Sequence, residues 1–231
     1  MPGTAYGEGR DVLPGNAAYK VEVFRGGTWE EIFVYNARAG NPEAGYTQYT
    51  MGFALFTDSF RQPLKVRVTR RAGTFSKVEI RPLSYGIVPN VQTPNSVEFE
   101  LDDPAQKVSV EFDDNRMENL FILPDLPDTA IPTGANVTYF GPGIHNMGRK
   151  EILYKDNQTI YLDEGALVYG SIYAKGCRNL TIRGRGILCS SKENHGDGRQ
   201  PQIETFDCNG FKVEGILLRD TPNWTLKIVG S

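Results

Sequence analysis

Residues 177–184, CRNLTIRG, and residues 208–215, CNGFKVEG, are one pattern written twice. Cys177 superposes on Cys208, Leu180 on Phe211, Ile182 on Val213 and Gly184 on Gly215, all at an offset of 31 residues. The apolar-x-apolar unit has period 2, the period of a strand. An earlier copy stands in residues 158–165, QTIYLDEG, where Ile160 and Leu162 hold the apolar places; matching Ile160 to Leu180 gives an offset of 20. A strand-like unit returning at this interval predicts stacked coils, with apolar residues turned inward and glycine at the sharp bends. A leucine-rich repeat shares the period, but its LxxLxLxxN signature is missing. The longer second interval is filled by a polar, Gly-rich insertion, residues 190–200, SSKENHGDGRQ. A right-handed parallel β-helix over residues 136–231 fits best. The apolar strand at Trp224–Val229 is followed by no polar cap, so a longer natural chain is expected.

Upstream the alternation is that of half-buried strands. Tyr19, Val21 and Val23 share one face, as do Leu64, Val66 and Val68, then Val78 and Ile80, then Val97, Phe99 and Leu101, then Val108, Val110 and Phe112. Breakers separate them at Gly26-Gly27, Pro42, Pro63, Pro94 and Pro104. This predicts an antiparallel β-sandwich over residues 16–123. Pro124, Pro127 and Pro132 then mark a linker, residues 124–135, and residues 1–15 read as an extended or disordered leader. The fold class is therefore all-β.

Composition sets bounds on function. Lys and Arg number 25 against 28 Asp and Glu, a net charge of -3, which argues against a nucleic-acid binder. No run approaches about 18 apolar residues, so a membrane-spanning helix is not expected. Residues 1–148 carry a net -5 and residues 149–231 a net +2, which a solvated surface explains as well as an acidic ligand. Cys177, Cys189 and Cys208 form no CxxC pair and read as buried thiols, their disulfide state open. The N-terminal residues lack the apolar core of a signal peptide.

The ordered motifs YFGPGIH (139–145), YLDEGA (161–166), VYGSI (168–172), IRGRGI (182–187) and GILLRDTPNW (215–224) resemble the opening coils of β-helical polysaccharide hydrolases. The likeness is to glycoside hydrolase families 28 and 49, the polygalacturonase and dextranase/isopullulanase groups. TPNW is similar to the Ser-Pro-x-Trp that precedes the family 28 catalytic coils. The preceding sandwich, with RPLSYGI (81–87), looks more like family 49. The resemblance implies a secreted or periplasmic enzyme, monomeric at full length, acting on a polysaccharide without a cofactor. It implies inverting hydrolysis by paired Asp residues, with the carboxyls about 6.5–9.5 Å apart. The families' Asn-Thr-Asp and Asp-Asp motifs are absent in the expected order, so those acids are expected beyond Ser231 and no residue here is assigned to catalysis.

Substrate contacts are expected from the insertion, through Glu193, Asn194, His195 and Asp197, and from Arg219 and Asn223 near Trp224. An ordinary solvated loop and a turn cap are the competing readings. Cys189 and His195 alone are too few ligands for a metal, so none is expected. His145 reads as structural. Trp29, Tyr35, Tyr46 and Tyr49 suit either a sugar platform or strand packing, and Arg61–Arg71 reads as the solvated face of a strand. Asn136, Asn157, Asn179 and Asn223 open N-x-[ST] sequons, which strand threonine usage also explains. Two other functions fit a β-helix: a non-catalytic glycan binder or adhesin, and a calcium-dependent pectate lyase, for which no carboxylate cluster is seen.

Overall fold

The structure, a computed structural model, describes residues 15–41, 47–193 and 200–230. Nearly all of the expected leader lies outside the described residues. The chain forms two compact units, divided between Pro127 and Asp128.

The first unit has two five-stranded sheets. One contains β1 (Tyr19–Arg25), β2 (Thr28–Ile32), β5 (Leu64–Arg70), β7 (Asn90–Thr93) and β8 (Ser96–Leu101), in the order β2-β1-β5-β8-β7. The other contains β3 (Val34–Asn41), β4 (Thr47–Thr57), β6 (Val78–Arg81), β9 (Val108–Phe112) and β10 (Leu120–Asp125), in the order β3-β4-β10-β9-β6. The alternation in the sequence sets the burial. Val21, Val66, Val97 and Leu101 from one sheet join Ala54, Val110, Leu120 and Ile122 from the other in a single buried cluster.

Two expectations need correction. The pairing is not wholly antiparallel: β10 runs parallel to β4, from Leu120 opposite Gly52 to Asp125 opposite Thr57. The linker also begins later than residue 124, because β10 continues through Pro124 and Asp125. β9 pairs with β10 only over Leu120–Ile122. Pro124 therefore sits where one side of the strand has become an edge, and there a residue without an N–H is tolerated.

The aromatic residues of this unit pack. The Arg67 guanidinium lies 3.8 Å over the Trp29 ring, and Phe24 meets its edge at 5.3 Å. Tyr35 is buried and stacks on Phe53 at 5.0 Å. Tyr46 and the Tyr49 side chain lie outside the described residues. The basic stretch is paired outward: Arg67 with Glu98 at 2.6 Å, Arg70 with Asp113 at 3.2 Å and Arg71 with Glu31 at 2.9 Å. Asp113 itself accepts from the backbone N–H groups of Ser76 and Lys77, which hold its carboxyl below the usual range.

The second unit is built from parallel ladders. β11 (Val137–Phe140), β13 (Thr159–Leu162), β15 (Thr181–Gly184) and β18 (Lys212–Glu214) stack in that order. Beside them β12 (Gly143–Leu153) pairs with β14 (Ala166–Lys175). The first half of β14 carries β16 (Ile187–Cys189), then β19 (Leu217–Arg219). Its second half carries β17 (Ile203–Phe206), then β20 (Leu226–Val229). The insertion thus interrupts one turn between β16 and β17.

The register corrects the repeat. Ile160 stacks on Ile182, and Ile182 on Val213. The interval of 31 holds, but the earlier one is 22 and not 20. A period-2 pattern matches itself again after a slip of two residues, so hydrophobicity alone does not separate these registers. Three bends decide it. β12, β14 and β17 each hand over to the next strand through five residues, at 154–158, 176–180 and 207–211. The three cysteines are buried free thiols.

The true register puts Gly184 opposite Leu162, with φ 138°. A Cβ there would run into the Leu162 carbonyl oxygen. Gly184→Ala is expected to lower unfolding stability by at least about 2 kcal/mol in urea titration, through strain and steric overlap. Gly73→Ala is the control: it shares a positive φ of 73° but meets no atom within 4 Å. It is expected to cost about 1 kcal/mol.

Candidate functional site

Alternation along β12, β14, β17 and β20 sorts their side chains onto two faces. Ile152, Ala174, Thr205 and Ile228 fall in one register line, of which the first three are buried. Glu151, Tyr173, Glu204 and Lys227 fall in the neighbouring line, on the opposite face. Arg149, opposite Ser171, extends that face by two residues.

Glu204 is at the centre. Its Oε1 accepts from Lys227 Nζ at 2.8 Å, and its Oε2 from Arg149 Nη2 at 3.4 Å. Its side chain is only 7% exposed. Two rings complete the band. Arg149 lies 5.0 Å over Tyr173, Lys227 lies 5.1 Å over Phe206, and the rings are 5.9 Å apart. Arg149 Nη1, Ser171 Oγ and Gln202 Oε1 are buried with no hydrogen-bond partner among the described residues. Leaving such groups unsatisfied costs about 1–3 kcal/mol each. Gln202 is otherwise fixed, its amide donating to Leu188 O at 2.8 Å and Arg219 O at 3.2 Å. The accessible groups are Arg149 and Lys227, 28% and 37% exposed, which offer donors beside two half-buried rings, a surface suited to a ligand rich in hydroxyl groups.

A second cluster lies on the outer face of the other ladder. Asp128 accepts from Tyr161 Oη at 2.9 Å and pairs with Arg183 at 3.2 Å and Arg185 at 3.1 Å. Tyr139 stacks on Tyr161 at 5.8 Å and donates to Asp163 at 2.6 Å. Burial, then the bond to Asp128, pushes the Tyr161 phenol far above its ordinary range. Asp128 thereby ties the start of the unit to the outer faces of β13 and β15.

Of the residues expected to meet substrate, Glu193 is half-buried just after β16, its N–H donating to Ser190 O at 3.0 Å. Asn194, His195 and Asp197 lie outside the described residues. Arg219 is buried at the end of β19, bonded to Asp220 at 2.5 Å and to Cys189 Sγ at 3.5 Å. Asn223 is exposed in the bend before β20. Among the described residues no group of three or more His, Cys, Asp or Glu could hold a metal ion. His145 shares a 2.7 Å bond with Gly141 O and meets the edge of Phe140, a structural placement. Arg149, Ser171, Tyr173, Gln202, Glu204 and Lys227 escaped sequence reasoning. The signal that finds them is the register: positions 151, 173, 204 and 227 line up only once the intervals are known.

No family model matches the chain, and no curated protein does. Among solved structures the chain is similar to "Dex49A from Penicillium minioluteum", with a TM-score of 0.56 and 17% identity. The match covers 99% of this chain and 60% of that one, so the chain spans less than two thirds of its neighbour. What the two share is the fold: nearly all-β, with parallel sheets.

Glu204→Gln is expected to leave two cations facing each other in a largely buried place, and to destabilise the chain by about 2–3 kcal/mol in urea. Lys227→Met should cost under about 1 kcal/mol, because Lys227 is 37% exposed. Tyr161 contributes stability that is present below the pKa of an unfolded phenol and lost as pH rises toward its raised folded value. Tyr161→Phe should therefore flatten the fall in melting temperature above about pH 10.

Proposed function

We propose that the chain belongs to a glycoside hydrolase acting on a polysaccharide. We read the first unit as a β-sandwich and the second as the opening coils of a right-handed parallel β-helix. The fold shared with Dex49A supports this reading, as does the ordered motif set resembling the dextranase and polygalacturonase groups.

The observation that carries a glycan ligand is the outer ladder: Tyr173 and Phe206, half-buried and 5.9 Å apart, flanked by the partly exposed Arg149 and Lys227. The exposed parts of the two rings pack against the C–H face of a sugar, and the exposed parts of Arg149 and Lys227 donate to its hydroxyls. Glu204 has both oxygens engaged by cations. The ladder's part is therefore to hold and orient the chain of sugars, and the reaction remains inverting hydrolysis by a carboxyl pair placed elsewhere. A rigid ladder suits that work, because it fixes side chains at regular spacing without relying on loops.

Affinity electrophoresis through gels containing dextran, pullulan or polygalacturonate tests the binding. Retardation by at least one glycan is expected, weakened about tenfold by Tyr173→Ala. Reducing-end release by the product of the whole gene, on the same three glycans, tests the chemistry. A chain that none of them retards, from a gene product that releases no ends, overturns the proposal.

A further inference from the structure

The first unit holds a concavity of about 400 Å³, lined by Lys65, Tyr85, Val88, Asn90, Glu100 and Asp102 among others. That volume lies within the usual range for small-ligand sites. Its walls are fixed by the chain around them. A 3₁₀ turn, Leu83–Tyr85, is closed by bonds from Tyr85 N to Pro82 O at 3.1 Å and from Gly86 N to Leu83 O at 3.0 Å. Ile87 packs against the core and anchors the segment. Asn90 then enters β7 opposite Glu98, while Glu100 of β8 faces Lys65 of β5.

The side chains around this concavity differ from those elsewhere on the same sheet. Glu98 is taken up by Arg67 at 2.6 Å. Among the described residues Glu100 has only a loose 3.8 Å approach to Lys65. The Tyr85 hydroxyl, the Asn90 amide and the Asp102 carboxylate have no side-chain partner among the described residues. Exposed apolar surface is concentrated in the same segment: Tyr85 is 40% and Val88 79% exposed, with Leu83 and Val91 also exposed nearby. Scattered exposed apolar residues need no explanation, but a cluster beside open polar groups marks a contact surface.

We infer that this concavity is a second carbohydrate-binding site, one that takes a neutral oligosaccharide. Tyr85 and Val88 offer the apolar surface for a sugar's C–H face. Glu100 and Asp102 accept from sugar hydroxyls, and the Asn90 amide both donates and accepts. Carboxylates outnumber the single Lys65, so a uronate would meet like charge, whereas a neutral sugar would not.

Amide chemical-shift mapping of the isotope-labelled 231-residue chain tests this, with isomaltotetraose and cellotetraose as neutral probes, trigalacturonate as the acidic probe and calcium chloride as the cation control. A neutral probe is expected to give saturable shifts at Tyr85, Gly86, Val88, Asn90 and Glu100. Tyr85→Ala and Asp102→Asn should each weaken that binding about tenfold. Tyr173→Ala, on the second unit, should leave these shifts unchanged, which separates this site from the ladder. The inference is overturned if no neutral probe moves these amides, if trigalacturonate binds more tightly, if calcium alone gives the same shifts, or if neither variant weakens them.

Discussion

The backbone hydrogen bond between equivalent residues of successive turns is the interaction on which the second unit depends. Tyr154 N donates to Lys175 O at 2.8 Å, Gly176 N to Phe206 O at 2.9 Å, and Asp207 N to Val229 O at 2.9 Å. All three donors sit at the same bend, and all have positive φ, between 49° and 61°. A left-handed conformation costs a non-glycine residue roughly 1–2 kcal/mol. Tyr154 and Asp207 adopt it because the bend must recur in register for the ladder to continue. Side chains follow from that constraint: once the bends are stacked, every second residue points inward, and the residues between them form straight lines on the surface.

Those lines create the candidate site. Arg149, Tyr173, Glu204 and Lys227 are far apart in the sequence and come from four different strands. They meet because β12, β14, β17 and β20 are stacked neighbours. The carboxylate of Glu204 bridges Arg149 and Lys227. A loop-built site would need each residue positioned separately. Here one repeated hydrogen bond positions all of them.

Much of the fold could be read from the residues alone. In the first unit, period 2 identified Val21, Val66, Phe99 and Val110 as core, since one face of each strand is buried and the other is wet. The parallel pairing of β10 with β4 was not legible, because side-chain alternation is the same in both directions. In the second unit the interval of 31 was legible from the matched cysteines and glycines. The interval of 22 was not, because Ile160 and Leu162 fit two registers equally. That two-residue ambiguity also hid the site: without the register, Glu204 is one acidic residue among many. The open pocket around Tyr85 was hidden for a different reason: nothing local shows that, among the described residues, Glu98 is paired and Asp102 is not.

Scalar couplings transmitted through hydrogen bonds, measured by NMR on the labelled chain, test the register most directly. Couplings are expected from Gly176 N to the Phe206 carbonyl and from Asp207 N to the Val229 carbonyl. Couplings to carbonyls two residues away, or protected amides at these positions bonded within their own turn, would contradict the stacking and with it the alignment of Arg149, Tyr173, Glu204 and Lys227.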